Sequence, residues 1–148
     1  MKKLRVYIEN SVIGGYFDEI FEESTKKLFD FFHDGKYIAV ISTHTYGELD
    51  NGAPENVKLN LETIYYEKID VTEEMLDLTQ KYIDEGIVSE QYRSDALHIA
   101  IATISGVDVL VSWNFKHIVN MNRIKLFNSV NLKEGYNLLE IRTPQEVV

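Results

Sequence analysis

Short apolar runs alternate with amphipathic stretches along this chain. Residues 4–8 and 37–42 are apolar and rich in β-branched or aromatic side chains, which predicts two buried strands. Apolar positions recur among charges between residues 19 and 33, and Asp34-Gly35 then ends the pattern, which predicts an amphipathic helix. Further helices are predicted at 43–50, 54–63, 72–84 and 95–105, further strands at 64–71, 107–112 and 138–141, and a mixed helix or loop at 115–127.

The alternation of strands and helices predicts an α/β fold with a mostly parallel central sheet and helices on both faces. Most strand segments are apolar runs without alternation, as is typical of strands buried on both faces, whereas 64–71 is ambiguous. The segment 107–112 is apolar except for Asp108 and is predicted to be a central strand, whereas Gly14-Gly15 is predicted to break the chain. No repeat or linker interrupts the 148 residues, so 1–148 is predicted to be a single domain.

Composition narrows the function classes. The chain has no cysteine, which excludes disulfides, thiolate metal sites and a cysteine nucleophile. Its formal net charge is -9, so its surface repels phosphate backbones and a passive, basic nucleic-acid clamp is not expected. An enzyme that reaches phosphates through a bound divalent cation is compatible with that charge, because the cation is positive. No signal segment or membrane span is evident in the sequence, and we expect a cytoplasmic protein.

Candidate chemistry lies next to the predicted strand ends. Glu9 closes the first strand and Glu48 lies on the helix after the second. Asp95 lies in the first turn of helix 95–105, and Asn114 closes the strand that follows it. Ligands of parallel sheets bind outside the carboxyl ends of the strands, and crowded carboxylates there repel each other unless a cation joins them. We therefore predict a Mg²⁺ or Mn²⁺ site held by Glu9, Glu48 and Asp95, with Asn114 as a further catalytic residue.

Each of these residues also has an ordinary structural interpretation. Asp95 could serve a helix N-terminus that Ser94 caps, and Glu48 could be a solvated helix carboxylate. Glu9 could cap the following loop, and Asn114 could be a turn residue. Spacing alone leaves both sets of roles open.

Other residues near these positions could also serve catalysis or metal binding. His44 and Glu48 are four residues apart on one predicted helix, which is a metal-ligand spacing, but zinc is disfavoured because neither a second histidine pair nor a cysteine accompanies them. His98 is interpreted as a hydrogen-bonded core residue and Trp113 as a packing residue or loop anchor. Ser11 has no evident partners for acyl transfer and is interpreted as a hydroxyl that orients a ligand or water.

Four strings resemble those of a known family. Residues 6–17, VYIENSVIGGYF, resemble the opening of PIN-domain proteins. The PIN domain is the fold of the VapC-type toxin ribonucleases. The family's middle acid matches Glu48 in YGEL, and its second acidic helix resembles SDALHIA at 94–100. The variant closing motif of one PIN subgroup resembles SWNFKH at 112–117. The resemblance therefore runs from the first strand to about His117.

The resemblance implies a compact three-layer α/β/α sandwich that binds Mg²⁺ or Mn²⁺ and acts as an endoribonuclease on an RNA substrate. It also implies the toxin of a toxin–antitoxin pair, with an antitoxin protein as partner, and a homodimer. The chain departs from the family at two positions. Glu9 stands where the family usually has Asp, and Asn114 stands where many members have a fourth acid.

Those departures keep two alternatives open. One is a non-catalytic or weakened PIN-like module that binds RNA or a protein partner. The other is a phosphoryl-transfer hydrolase or receiver-like domain with an aspartyl nucleophile after the first strand, which Glu9-Asn10 disfavours because no aspartate stands there.

Overall fold

A computed structural model describes residues 2–148. Its centre is a five-stranded sheet in the order β3-β2-β1-β4-β5, with every neighbouring pair parallel. The strands are β1 (Leu4–Ile8), β2 (Tyr37–Ser42), β3 (Tyr66–Ile69), β4 (Val109–Val111) and β5 (Ile141–Arg142). The α/β prediction with a parallel sheet is confirmed. The central strand is β1 rather than the segment 107–112, which supplies β4 beside it.

Helices connect the strands and lie on both sides of the sheet. They are α1 (Asn10–Gly15), α2 (Glu22–His33), α3 (Thr43–Asp50), α4 (Glu55–Leu61), α5 (Glu73–Asp84), α6 (Arg93–Ser105), α7 (Met121–Lys133) and α8 (Pro144–Val147), with a 3-10 turn at Glu90–Tyr92 before α6. Within residues 2–148, no helix is both long enough and apolar enough to cross a membrane.

Two apolar cores flank the sheet because successive strand side chains point to opposite faces. Tyr7 and Leu110 pack with buried residues of α5, α6 and α7 on one face. Val6, Ile8 and Val111 pack with residues of α1, α2 and α4 on the other. All five of these strand residues are buried, which is why β1 and β4 carry apolar side chains on both faces. The result is the expected three-layer α/β/α arrangement.

Two predictions near the carboxyl edge of the sheet differ from the structure. Gly14-Gly15 does not break the chain but ends the short helix α1. A Cβ on Gly15 would lie 2.9 Å from the Trp113 ring, so the glycine permits close packing there rather than a turn. Helix α6 begins at Arg93, so Ser94 is not its cap. The Ser94 hydroxyl instead donates to Glu48.

Other boundaries moved by a few residues. Helix α2 begins at Glu22 rather than 19, because residues 17 to 21 form turns in which Asp18 accepts a hydrogen bond from the Ile20 amide. The ambiguous stretch 115–127 contains a turn and then the start of α7, whose N-terminus is capped by the Asn120 side chain. These shifts do not change the order of the elements.

The strand order places a topological switch point between β1 and β4. The chain builds β2 and β3 on one side of β1 and then returns to build β4 and β5 on the other. Loops that leave β1 and β4 therefore diverge at their carboxyl ends, and this is where open α/β sheets bind ligands. Glu9 follows β1 and Asn114 follows β4 at this point.

Candidate active site

Glu9 is buried at the end of β1, with 5% of its surface exposed. Its side chain caps α1: one carboxylate oxygen accepts from the Ser11 amide at 3.1 Å and the other from the Ser11 hydroxyl. Burial raises the pKa of Glu9, and the charge of His98 and the hydrogen bonds from Ser11 oppose that rise only in part. The carboxylate is therefore held in a defined orientation in surroundings that disfavour its negative charge.

Ser11 also ties the ends of β1 and β4 together. Its hydroxyl oxygen accepts from the Trp113 amide at 2.9 Å and lies 3.4 Å from the Ser112 hydroxyl. Trp113 itself donates from its indole nitrogen to Thr25 at 2.9 Å and stacks on Phe21. The prediction that Trp113 anchors a loop is confirmed, and the Ser11 hydroxyl orients Glu9.

Glu48 lies on α3, which begins at a capping box formed by Ser42 and Thr45. Its Oε1 is 2.7 Å from Nε2 of His98, and its Oε2 accepts from the Ser94 hydroxyl at 2.8 Å. Burial raises the pKa of Glu48, but the hydrogen bonds from His98 and Ser94 and the charge of His98 outweigh it, so the pKa lies below its usual value. Glu48 is thus a half-buried, ionised carboxylate rather than a freely solvated one.

Asp95 lies in the first turn of α6 and is half-buried. Burial raises its pKa, and the charges of His117 and His98 and the side chain of Asn114 oppose the rise. Asn114 is held by its Oδ1, which accepts from the His117 amide at 3.0 Å. Asp95 and Asn114 are therefore close enough to influence each other's hydrogen bonding.

His98 is the common neighbour of the three carboxylates. Its charge lowers the pKa of Glu9, of Glu48 and of Asp95. Its ring is 1% exposed, and its Nδ1 lies 2.7 Å from the Tyr7 hydroxyl. The interpretation of His98 as a hydrogen-bonded core residue is confirmed, but that core residue also contacts the candidate site.

The structure brings the predicted residues to one edge of the sheet without putting all of them in contact. Among residues 2–148, the group of possible ligand atoms that lie within 4.8 Å of one another belongs to His44, Glu48 and His98. Glu9 and Asp95 lie outside that group and interact with it through charge. Within the same residues, the ion pairs of Glu48 are with histidines, and none joins Glu9 or Asp95 to a lysine or arginine.

The chemistry of Glu9, Glu48 and Asp95 suits a divalent cation, although their ligand atoms do not all lie within 4.8 Å of one another. Burial disfavours the charge of Glu9 and of Asp95, and Glu48 adds repulsion at Asp95. A cation between carboxylates removes both costs, and oxygen ligands suit Mg²⁺ or Mn²⁺. Glu48 would use the free lone pairs of its two oxygens, since each already accepts one hydrogen bond.

Sequence reasoning missed how Glu48 is held. His98 follows Asp95 by three residues on α6, so the two share a helix face, and that spacing could have indicated a joint role. The contact of Tyr7 with His98 depends on how α6 packs on β1, and no local pattern indicates it. Ser94 was assigned to a cap because Ser before an acidic helix start is a common cap signature.

The chain is an α/β protein with a parallel sheet in the order 3-2-1-4-5 and helices on both faces. It is structurally similar to VapC toxins over most of its length. The sarcin-ricin loop cleaving toxin VapC20 of Mycobacterium tuberculosis aligns over 76% of this chain and 92% of its own, at 14% identity and a TM-score of 0.56. VapBC2 of Rickettsia felis, solved bound to a promoter DNA fragment, aligns over 93% of this chain and 98% of its own, at 16% identity and a TM-score of 0.56.

These likenesses concern the fold, since sequence identity is low. Neither a scan against protein-family models nor a search of curated proteins gives a match.

Proposed function

We propose that the chain is a metal-dependent endoribonuclease of PIN type. The observation that carries the proposal is a set of three carboxylates, Glu9, Glu48 and Asp95, which each interact with the charge of His98 and lack a lysine or arginine partner within residues 2–148. Glu9, Glu48 and Asp95 would hold Mg²⁺ or Mn²⁺. When bound, such an ion supplies an activated water and neutralises charge on a phosphodiester.

The remaining residues would position these ligands. Ser11 fixes the Glu9 carboxylate by two hydrogen bonds. Ser94 and His98 hold one oxygen each of Glu48. Asn114 acts on Asp95, and its backbone amide is itself held by Ser112 at 2.9 Å. With a net charge of -9, the protein would approach RNA through the ion rather than through a basic surface.

Partners and setting form part of the same proposal. The likeness to VapC20 and VapBC2 supports a toxin that is held by a cognate antitoxin protein. We also propose that residues 1–148 form one domain, that the chain forms a homodimer and that it acts in the cytoplasm.

One observation favours the non-catalytic alternative, a PIN-like module that binds RNA or protein. Both oxygens of the Glu9 carboxylate accept hydrogen bonds from Ser11, and the side chain caps α1. Glu9 therefore already has a structural role. Asn114 adds no charge at the fourth position.

Assays of RNA cleavage with Mn²⁺ and with EDTA distinguish the ribonuclease from the non-catalytic module. We expect cleavage with Mn²⁺, none with EDTA, and a Mn²⁺-dependent rise in melting temperature, because the ion binds the folded state only. Asp95→Asn should lower the cleavage rate by more than about tenfold. Substitution of a residue that only supports a metal ligand typically lowers activity by about that factor. Glu23→Gln, at an exposed position on α2, is the matched control and should leave the rate unchanged.

Two results would count against the ribonuclease. RNA that binds but stays intact with Mn²⁺ would favour the non-catalytic module. Cleavage that Asp95→Asn leaves unchanged would show that the activity comes from elsewhere.

A further inference from the structure

Two imidazoles and a carboxylate converge beside the proposed Mg²⁺ or Mn²⁺ site. His44 and Glu48 are one turn apart on α3, and His98 reaches them from α6. Their ligand atoms lie within 4.8 Å of one another. The two histidine rings are tilted by 46° to each other, with centroids 4.7 Å apart. The three side chains therefore form a compact group with mixed nitrogen and oxygen donors.

The separations suit a common metal ligand sphere. Nε2 of His44 is 3.5 Å from Oε1 of Glu48, and Nε2 of His98 is 2.7 Å from the same oxygen. Ligands of a tetrahedral ion bound at about 2.1 Å are about 3.4 Å apart. The first separation already has that value, and Nε2 of His44 would exchange its present 2.7 Å hydrogen bond with the Ser94 hydroxyl for the ion. The second is a hydrogen bond that would open by less than about 1 Å when an ion replaces the shared proton.

The surroundings of His98 would hold the ring in a metal-binding tautomer. A metal-bound histidine usually donates its other N–H to an oxygen. The Tyr7 hydroxyl lies 2.7 Å from Nδ1 of His98 and can accept that hydrogen bond. Tyr7 can then donate to Ser42 or Thr45, whose hydroxyl oxygens lie at 2.8 and 3.2 Å. The ring thus has a partner for its second nitrogen without any movement of the backbone.

We propose that His44, Glu48 and His98 form a second metal site, for a divalent transition ion such as Co²⁺, Ni²⁺ or Zn²⁺. Imidazole nitrogens favour these ions, whereas carboxylate and water oxygens favour Mg²⁺. The site goes beyond the ribonuclease and does not depend on cleavage. Because Glu48 belongs to both donor sets, an ion held by the histidines competes with the Mg²⁺ or Mn²⁺ site. Co²⁺, Ni²⁺ or Zn²⁺ bound there then inhibits Mg²⁺-dependent cleavage, an effect that rests on the proposed ribonuclease function.

Cobalt titration of the full chain tests the site directly. The visible absorption of Co²⁺ reports its ligands, and calorimetry gives its affinity. We expect one equivalent of Co²⁺ to bind with a spectrum typical of nitrogen ligation. His44→Gln should weaken Co²⁺ binding by at least about tenfold. Loss of a residue that only orients a ligand lowers metal affinity by about that factor, and loss of a ligand itself should cost no less. His33→Gln, the same change at an exposed histidine of α2, should leave the affinity unchanged.

A second pair of variants distinguishes this site from the carboxylate site. Glu9→Gln should leave the Co²⁺ spectrum intact, since Glu9 lies outside the histidine group. His98→Gln should abolish the spectrum, and circular dichroism shows whether that variant is folded. His44 lies at a half-buried position, so His44→Gln remains a test if His98→Gln does not fold.

The proposal is overturned if His44→Gln binds Co²⁺ as tightly as the parent. It is also overturned if Glu9→Gln abolishes Co²⁺ binding while His44→Gln does not, because the ion then sits among the carboxylates. A failure of the ribonuclease proposal is separate, since it is measured as RNA cleavage with Mn²⁺ and leaves the Co²⁺ result standing.

Discussion

The side chain of Asn114 contacts the His117 amide and acts on Asp95 at the carboxyl edge of the sheet. Its Oδ1 accepts the hydrogen bond from that amide. An aspartate at this position could keep the bond to the His117 amide, because that bond needs only an oxygen. It would replace a neutral amide with a second negative charge next to Asp95.

We expect Asn114→Asp to tighten Mn²⁺ binding more than Glu9→Asp does. The first substitution adds a charge that attracts the ion at a partly desolvated site. The second keeps the charge and shortens the side chain, which also strains the two hydrogen bonds to Ser11. Calorimetric titration of Mn²⁺ into both variants and the parent measures the difference. An Asn114→Asp affinity equal to that of the parent would place Asn114 away from the ion.

At the scale of elements, the strands could be predicted and several helix ends could not. The inner strands β1, β2 and β4 are mostly buried on both faces, so their apolar runs are visible in the sequence. Helix ends depend on partners that are distant in sequence. Gly14-Gly15 looks like a turn because nothing nearby reveals that Trp113 packs against Gly15. Ser94 looks like a cap because its acceptor, Glu48, lies on another helix.

Two neighbouring glycines in α1 offer a matched test of that packing. In Gly15→Ala the new Cβ would lie 2.9 Å from the Trp113 ring and 3.1 Å from the Thr25 hydroxyl, so the indole must move. We expect a loss of about 1–3 kcal/mol in the free energy of unfolding, as for other overpacked sites.

Gly14→Ala is the control, since its Cβ meets no atom within 4 Å. It should leave stability unchanged or raise it by up to about 1 kcal/mol, because alanine favours a helix. Urea unfolding of both variants gives the two values. Equal stabilities for the two variants would mean that Trp113 yields freely and does not fix the end of β4.

At the scale of the whole molecule, the edge that gathers the acids could be predicted, but their charge states could not. Parallel strands share a carboxyl edge, so residues that follow β1 and β4 must be neighbours. Whether a carboxylate is favoured there depends on burial and on partners from other helices. Glu9 and Glu48 illustrate this, because burial raises the pKa of one and hydrogen bonds from His98 and Ser94 lower that of the other.

These opposite shifts have opposite effects on stability as the pH changes. The pKa of Glu9 in the folded state lies above its ordinary value of 4.5. The folded state therefore binds this proton more tightly, and the resulting stability is complete below pH 4.5 and is lost as the pH rises through the folded pKa. The pKa of Glu48 lies below 4.5. Its stability is present above pH 4.5 and is lost as the pH falls through the folded pKa.

Each variant removes one carboxyl group from the pH dependence of the parent. For Glu9→Gln, the free energy of unfolding relative to the parent should fall as the pH is lowered from neutral towards 4.5, because only the parent gains a protonated Glu9. For Glu48→Gln, the relative stability should instead rise below pH 4.5, because only the parent loses an ionised Glu48. Urea unfolding at a series of pH values, without divalent ions, gives both curves. If the stability of Glu9→Gln relative to the parent does not change with pH, Glu9 has the same pKa in the folded and unfolded states. The burial of the Glu9 carboxylate at this edge would then be wrong.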